Sequence, residues 1–379
     1  MKQSVFGWMV IVLLLVSAPT WGAAVYDAVN GQLTLTSANG PNTSTTIVAD
    51  LNDATLASTD GMWTTINIPT ITLAGDAEWV IGQSETVLVR DPQYPRTVKP
   101  QIIINGTFTI IGATLDGFIE LDIQDGASIN WLSANLMADQ AGHGGIRATN
   151  GVICINGVPA SFVWDGGVCD FTGPGAPADL AYEGIRYRPS LVGANAVTLT
   201  CTGVTFNSRF YLIRSLNLGL NEGDNDVWNF VGCTFAADTA NGLAAYSDNG
   251  SPSCIYNFIN CIYVAPVYQL VRFGADANSK INLINLVVVS TGQPGIEITA
   301  ESNPADGTTV GLPATTLPDG TAQIGLTYQA FIGPDNANDI PSYTYTINSP
   351  VGSATGVDPA VTSFVDLTGA SLVPFFEEY

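Results

Sequence analysis

Basic residues are scarce in this chain, 11 Lys and Arg in 379 residues against 33 Asp and Glu, so where they fall is informative. Five lie between residues 186 and 272: Arg186, Arg188, Arg209, Arg214 and Arg272. The segments "YLIRS" (211–215) and "QLVRF" (269–273) match, which makes Arg214 and Arg272 equivalent positions of a repeat. "LAAYS" (243–247) lies between them and brings small Ala244 and Ala245 followed by Tyr246. A guanidinium offers a planar fork of donors that suits a carboxylate. Two of them flanking a gap of small residues make a cradle for an acidic polysaccharide, with Arg209 nearby and Tyr246 available to stack on a sugar. Tyr211, Tyr256 and Tyr268 are further stacking candidates, and the competing role for each arginine is a local pair with one of the many acids.

The second chemical candidate is "NEGDNDVW" (221–228), where Glu222, Asp224 and Asp226 alternate within one loop. Carboxylate oxygens are what a hard cation such as calcium prefers, although the spacing is not that of an EF-hand and a solvated acidic turn is the simpler reading of the same residues. Asp165, Asp170 and Glu183 are spread over a Gly-rich region without forming a close pair for acid/base work on a glycosidic bond. The single histidine, His143, sits in "DQAGHGGIRATNG" with no G-x-S-x-G elbow anywhere, which leaves a triad without its nucleophile.

The elements that must carry these residues form a repeat. "TCTGVTF" (200–206), "NFVGCTF" (229–235), "NFINCIY" (257–263) and "NLINLVV" (282–288) share a leading Thr or Asn, and their fourth positions read Gly203, Gly232, Asn260 and Asn285. "TIIGATL" (109–115) and "NWLSANL" (130–136) fit the same template, with Gly112 and Ser133 in that column, and "GVCDF" (167–171) is a weaker copy. Gly and Asn are the residues that most readily accept positive φ. One left-handed residue between two short strands turns the chain without a loop, and side chains on both sides of the bend can then face one interior. A unit of 25 to 30 residues cannot bury its own face and must stack on its neighbours. Parallel stacking would align Phe206, Phe235, Tyr263 and Val288 in one column and Val204, Cys233, Cys261 and Leu286 in another. Thr200, Asn229, Asn257 and Asn282 would form a polar ladder, amide to amide.

Composition agrees with an almost all-β chain: Gly, Thr, Asn, Val and Ile are abundant, and no window of 12 residues outside the N-terminus carries a helical period. Lys2, the apolar run "VFGWMVIVLLLV" and the small residues "SAPTWGAA" read as a secretory signal peptide, cleaved after Ala24 or after Gly22. No later segment reaches the roughly 20 apolar residues of a membrane span. A formal net charge of −22 disfavours nucleic acid and anionic lipid, and suits a salty exterior, divalent cations or an assembled layer. Six Cys in an exported chain permit disulfides. Cys154 and Cys169, separated by a short Gly-rich segment, are the first candidate pair, and Cys233 and Cys261 form either a bond or an unbonded stack.

On the repeat, its corner column and its stacks of Asn, Cys and aromatic residues, the chain resembles the right-handed parallel β-helix proteins of the pectin-lyase-like superfamily over roughly residues 100 to 300. The resemblance implies an all-β solenoid. Residues 1–24 are then the signal peptide, 25–99 an N-terminal cap region, 100–298 the parallel β-helix, and 299–379 a C-terminal β cap or small β domain. Polysaccharide lyases of this fold often use an Arg or Lys as base, frequently with bound calcium, which makes Arg214 and Arg272 the catalytic candidates. "GHGG" at His143 is similar to a short piece of the polygalacturonase active site, but the partner N-T-D, D-D and R-I-K segments are absent. Because the fold hosts enzymes and inert rods alike, three functions stay open. The first is a secreted non-enzymatic surface, matrix, adhesin or filament subunit, extracellular, at the cell surface or periplasmic, whose partners are other copies of itself or cell-surface components. The second is a polysaccharide lyase or glycoside hydrolase on an anionic glycan, and the third is a carbohydrate- or calcium-binding module.

Overall fold

The computed structural model describes residues 23–37, 40–90, 101–117, 120–137, 153–170, 183–187, 197–208, 211–215, 226–237, 243–247, 255–264, 269–273, 280–332 and 342–368. Among them the chain is nearly all β: 33 strands and one helix. Alternation of buried and partly buried side chains along Thr70–Leu73, Glu78–Ile81 and Val227–Val231 is what a strand with one face on a core requires.

A separate four-stranded antiparallel sheet is formed by Glu297–Asn303, Ala314–Thr315, Thr344–Ser349 and Gly352–Val357. Most strands fall into two interleaved, mainly parallel sets. One is a ten-stranded sheet that runs from Gln32–Thr36 through Thr70–Leu73, Gln101–Ile104, Glu120–Ile123, Ile153–Ile155 and Glu183–Tyr187 to Gln269–Phe273, with an antiparallel edge at Ala23–Asp27. Its register aligns Leu33, Ile71, Ile102, Leu121, Ile153 and Ile185, every one of them buried, in a single column. The other set makes a larger network in which each repeat contributes two short segments separated by a corner.

That corner is where the sequence repeat placed it. Ser84, Gly112, Ser133, Gly166, Gly203, Gly232 and Asn260 all have φ between 49° and 70°, in the left-handed region. The amide N–H of Gly112, Gly203, Gly232 and Asn260 donates to a carbonyl of the next repeat, at Leu132, Val231, Ile259 and Ile284, at 2.7 to 2.8 Å. The weak copy at 167–171 belongs to the series with its corner doubled, since Gly166 and Gly167 are both at positive φ (70° and 91°). A Cβ on Gly167 would lie 2.0 Å from the Ala134 carbonyl oxygen, so glycine is the one residue that fits there.

Below the corner, the register Thr200↔Asn229↔Asn257↔Asn282 holds as the repeat implies, and the amides bond to one another. Asn257 Nδ2 donates to Asn229 Oδ1 at 2.9 Å, and Asn282 Nδ2 donates to Asn257 Oδ1 at 2.8 Å. Trp228 and Phe230, on either side of Asn229, are fully buried. The core they enter is a continuous run of rings: Trp131 on Trp164 (4.9 Å), Phe230 on Phe258 (5.1 Å) and Phe206 on Phe235 on Tyr263 (5.6 Å each). Such pairs contribute about 1 kcal/mol each beyond the apolar area they bury.

Above the corner, eight residues from eight strands share one register. Trp63 opposes Thr86, Thr86 opposes Thr114, and Thr114 opposes Asn135. The series continues through Val168, Thr205 and Thr234 to Ile262.

Asn285 departs from the expected corner. It lies inside the 11-residue strand Lys280–Ser290 and is not among the positive-φ residues. Thr321–Ile332 pairs antiparallel along that strand with one register shift between Leu283 and Ile284, placing Leu326 opposite Asn285, and this ladder satisfies the backbone groups a corner would have redirected. Val288 and Leu286 consequently leave the two stacks expected for them and oppose Gln323 and Gly325. A second core, built on Val287, Val289, Ile324, Leu326, Tyr345 and Ile347, fills the C-terminal region.

Candidate functional site

The arginines are positioned by the ten-stranded sheet. Cys154 opposes Arg186, Arg186 opposes Arg214, Arg214 opposes Tyr246, and Tyr246 opposes Arg272. Arg214 and Arg272 therefore occupy equivalent places two strands apart, about 10 Å at the strand spacing. The residue between them in register is Tyr246, whereas the small residue Ala245 falls in the neighbouring column with Ile213 and Val271. Reading the sequence around the two matching segments missed Arg186 as a third member. The signal was present in the "IR" of "GIRY", one residue pattern shared with "LIRS". Arg209 lies outside the described residues.

One step down the same column the chemistry turns acidic. Asp122 opposes Cys154 and is 8% exposed. It receives the amide N–H groups of Asn156 and, at 3.3 Å, of Gln101, whose Nε2 also lies 3.2 Å from Glu120.

Of the calcium candidates, Glu222 and Asp224 lie outside the described residues. Asp226 is 3% exposed, and its Oδ1 accepts the Val197 backbone N–H at 2.8 Å, while its own carbonyl accepts from Ile255 at 2.8 Å. Its carboxylate thus ties the start of one repeat to the next. Among the described residues there is no group of three or more His, Cys, Asp or Glu able to hold a metal ion. Asp165 is exposed and Asp170 partly buried on the strand Ser161–Asp170, and His143 lies outside the described residues. Tyr256 is fully buried in the aromatic core and unavailable to a sugar.

The cysteines correct one expectation. Cys154 and Cys169 form no disulfide and lie on strands of different parallel sets, and Cys201, Cys233 and Cys261 are likewise not disulfide-bonded. Cys233 Sγ donates to the Cys201 carbonyl at 3.4 Å and Cys261 Sγ to the Phe230 carbonyl at 3.2 Å, the same contact repeated one strand on. Burial pushes the Cys233 thiol up to about 11 and the Cys261 thiol to about 12, and raises Cys169 and Cys201 as well. These thiols behave as small apolar side chains of the core.

Comparison with known proteins finds no matching family model, no matching curated protein and no matching solved structure. Among the described residues no helix is long and apolar enough to cross a membrane.

Proposed function

We propose that the chain is a right-handed parallel β-helix of the pectin-lyase-like kind, and that it serves as a secreted, non-enzymatic subunit of an extracellular surface, matrix or filament. The observation that carries this reading is the unbroken parallel register over eight neighbouring strands, from Trp63 to Ile262. A column of that length is the internal order of a stiff rod. The polar groups along it are spent on holding it together: the Asn229, Asn257 and Asn282 amides bond to one another, and Asp226 secures the entry to a repeat. The test is size-exclusion chromatography with light scattering, followed by electron microscopy of the purified chain. Elongated particles and ordered multimers support the reading; a compact monomer at every concentration contradicts it.

A second reading has its own observation. Arg186, Arg214, Tyr246 and Arg272 fall in one register column on four consecutive strands, a row of cations and one aromatic spaced to meet successive carboxylates of an anionic glycan. This is the glycan-binding or polysaccharide lyase hypothesis, with calcium as its cofactor candidate. Pectate, alginate and glycosaminoglycans, offered with and without calcium while the absorbance of an unsaturated product is followed, separate binding from turnover. Retained binding in Arg214→Ala and Arg272→Ala removes this row from the explanation.

A further inference from the structure

The first described strand opens at Ala23, the residue that follows one of the two bonds where the leader pattern allows a cut. Ala23–Asp27 lies antiparallel on Gln32–Thr36 and pairs with it residue by residue, Ala23 with Thr36 and Ala24 with Leu35. The Ala23 carbonyl accepts the Thr36 hydroxyl at 3.4 Å, and Ala24 and Tyr26 pack against the main core. Both alanines are therefore part of the fold.

Ala24 has a second tie. Its backbone N–H donates to Asp50 Oδ2 at 3.0 Å, outside the strand pair. Amides of an antiparallel pair alternate in direction, so the N–H of Val25 points at Thr34 and away from Asp50.

Asp50 itself stands in an unfavourable place. It lies in the last turn of the helix Ser44–Leu51, at the negative end of the helix dipole, and no basic residue shares that turn. Cations are lacking along the sequence as well: residues 23 to 89 carry seven Asp and Glu and no Lys, Arg or His. The one positive charge this segment can acquire is an α-ammonium, and leader cleavage supplies it.

A signal peptidase requires a small residue directly before the cut and another two positions further back. A cut before Ala23 meets this with Gly22 and Thr20, and a cut before Val25 meets it with Ala24 and Gly22. A cut before Ala24 puts Trp21 where a small residue is needed. Cutting before Val25 deletes two of the five strand pairs and takes away the donor that Asp50 holds. Cutting before Ala23 keeps the strand whole and sets the new ammonium one residue from that donor.

We infer that Gly22–Ala23 is the bond cut in maturation, and that the α-ammonium of Ala23 then pairs with Asp50 at the outer edge of the ten-stranded sheet. Hydrolysis adds one water across the peptide bond, leaving a carboxylate on Gly22 and the ammonium on Ala23. A charged, tied end on an edge strand also keeps further strands from adding there. The inference rests on the reading of the chain as secreted and names the processing step of that reading.

The test is expression of the full chain in a secreting host, with intact mass and N-terminal peptide mass of the exported protein. A start at Ala23 is expected. A start at Ala24 or Val25 overturns the assignment while export stands, and a chain that keeps residues 1–22 in every fraction overturns both. The pairing is read separately, on the α-amino group of the exported chain labelled by reductive methylation with carbon-13 and titrated by NMR at low salt. Asp50→Asn keeps an acceptor for the Ala24 amide and removes the charge, so the α-amino group should titrate at lower pH than in the wild type. An unchanged titration overturns the ion pair.

Discussion

Asn257 donates its amide to Asn229, 28 residues earlier, and receives that of Asn282, 25 residues later. One side chain thus fastens three repeats, and its own burial (5% exposed) together with that of Asn282 (0%) leaves no water to replace it.

Replacing Asn257 by Ala should therefore cost about 3 kcal/mol, two hydrogen bonds plus a stranded buried amide on Asn282. Asn229→Ala, at the half-exposed end of the ladder, should cost about 1 kcal/mol. Urea midpoints at an unchanged slope measure both, and equal losses would mean that the ladder does not act as a chain.

The corners make a graded prediction. A Cβ at Gly203 or Gly232 meets nothing within 4 Å, so Ala there carries only the left-handed backbone penalty, about 1 kcal/mol. Gly232→Asn should be nearly neutral, because Asn260 occupies the same corner at φ 51°. Gly167→Ala collides with the Ala134 carbonyl and should cost more than about 4 kcal/mol or abolish soluble expression. Thermal melts of the four variants rank them.

The pH dependence has two flanks. Burial raises Cys233 from 9.0 to about 11 and Cys261 to about 12, so the stability these thiols give is complete below pH 9 and is lost as the pH rises through 11 and 12. On the acid side, Asp27 is held low by the Asn30 side chain, Asp53 by the Thr55 hydroxyl and Asp366 by the Thr368 hydroxyl. Their contribution is present above the ordinary 3.8 and is lost as the pH falls through the lowered values. Denaturation midpoints from pH 3 to 11 should show a plateau between these limits. Replacing Cys233 and Cys261 with Ala should lower the plateau but flatten the alkaline decline.

The thiols also answer a chemical test. In the folded chain Cys169, Cys201 and Cys233 should resist iodoacetamide at pH 8 and react in denaturant, and the unreduced protein should show no Cys154–Cys169 bridge by peptide mass.

The corner residues and the Asn ladder were legible in the sequence because each rests on a residue type with one strong physical preference, repeated at a steady interval. Asn285 shows the limit. Asn tolerates a left-handed turn but does not impose one, and the strand Thr321–Ile332, whose Leu326 faces Asn285, offered an antiparallel ladder instead; Asn285 Nδ2 bonds the Pro359 carbonyl at 2.8 Å. The helix Ser44–Leu51 was missed for a different reason. It has eight residues, too few to display a period, and is started by an uncharged capping box between Thr43 and Thr46. The corner at Ser84 escaped because its repeat carries Val80 in the Asn or Thr position and has one extra residue ahead of the corner, Ile81 pairing with Ile110 but Thr86 with Thr114. In the candidate site, the pairing of Arg214 with Arg272 was readable from matched segments. That Tyr246 rather than an alanine stands between them depends on a register that only strand pairing fixes.

Stacking itself is tested most directly by pulsed dipolar spectroscopy on spin labels placed along one column, diluted in unlabelled chain. The pair Thr114 and Thr205 spans three strand spacings and Thr86 and Thr234 five, so backbone separations should be about 14 and 24 Å. A second distance longer than the first by about 10 Å is the signature of parallel strands piled in register. Equal distances, or a shorter second one, would mean that the segments fold back on each other and that the columns do not exist.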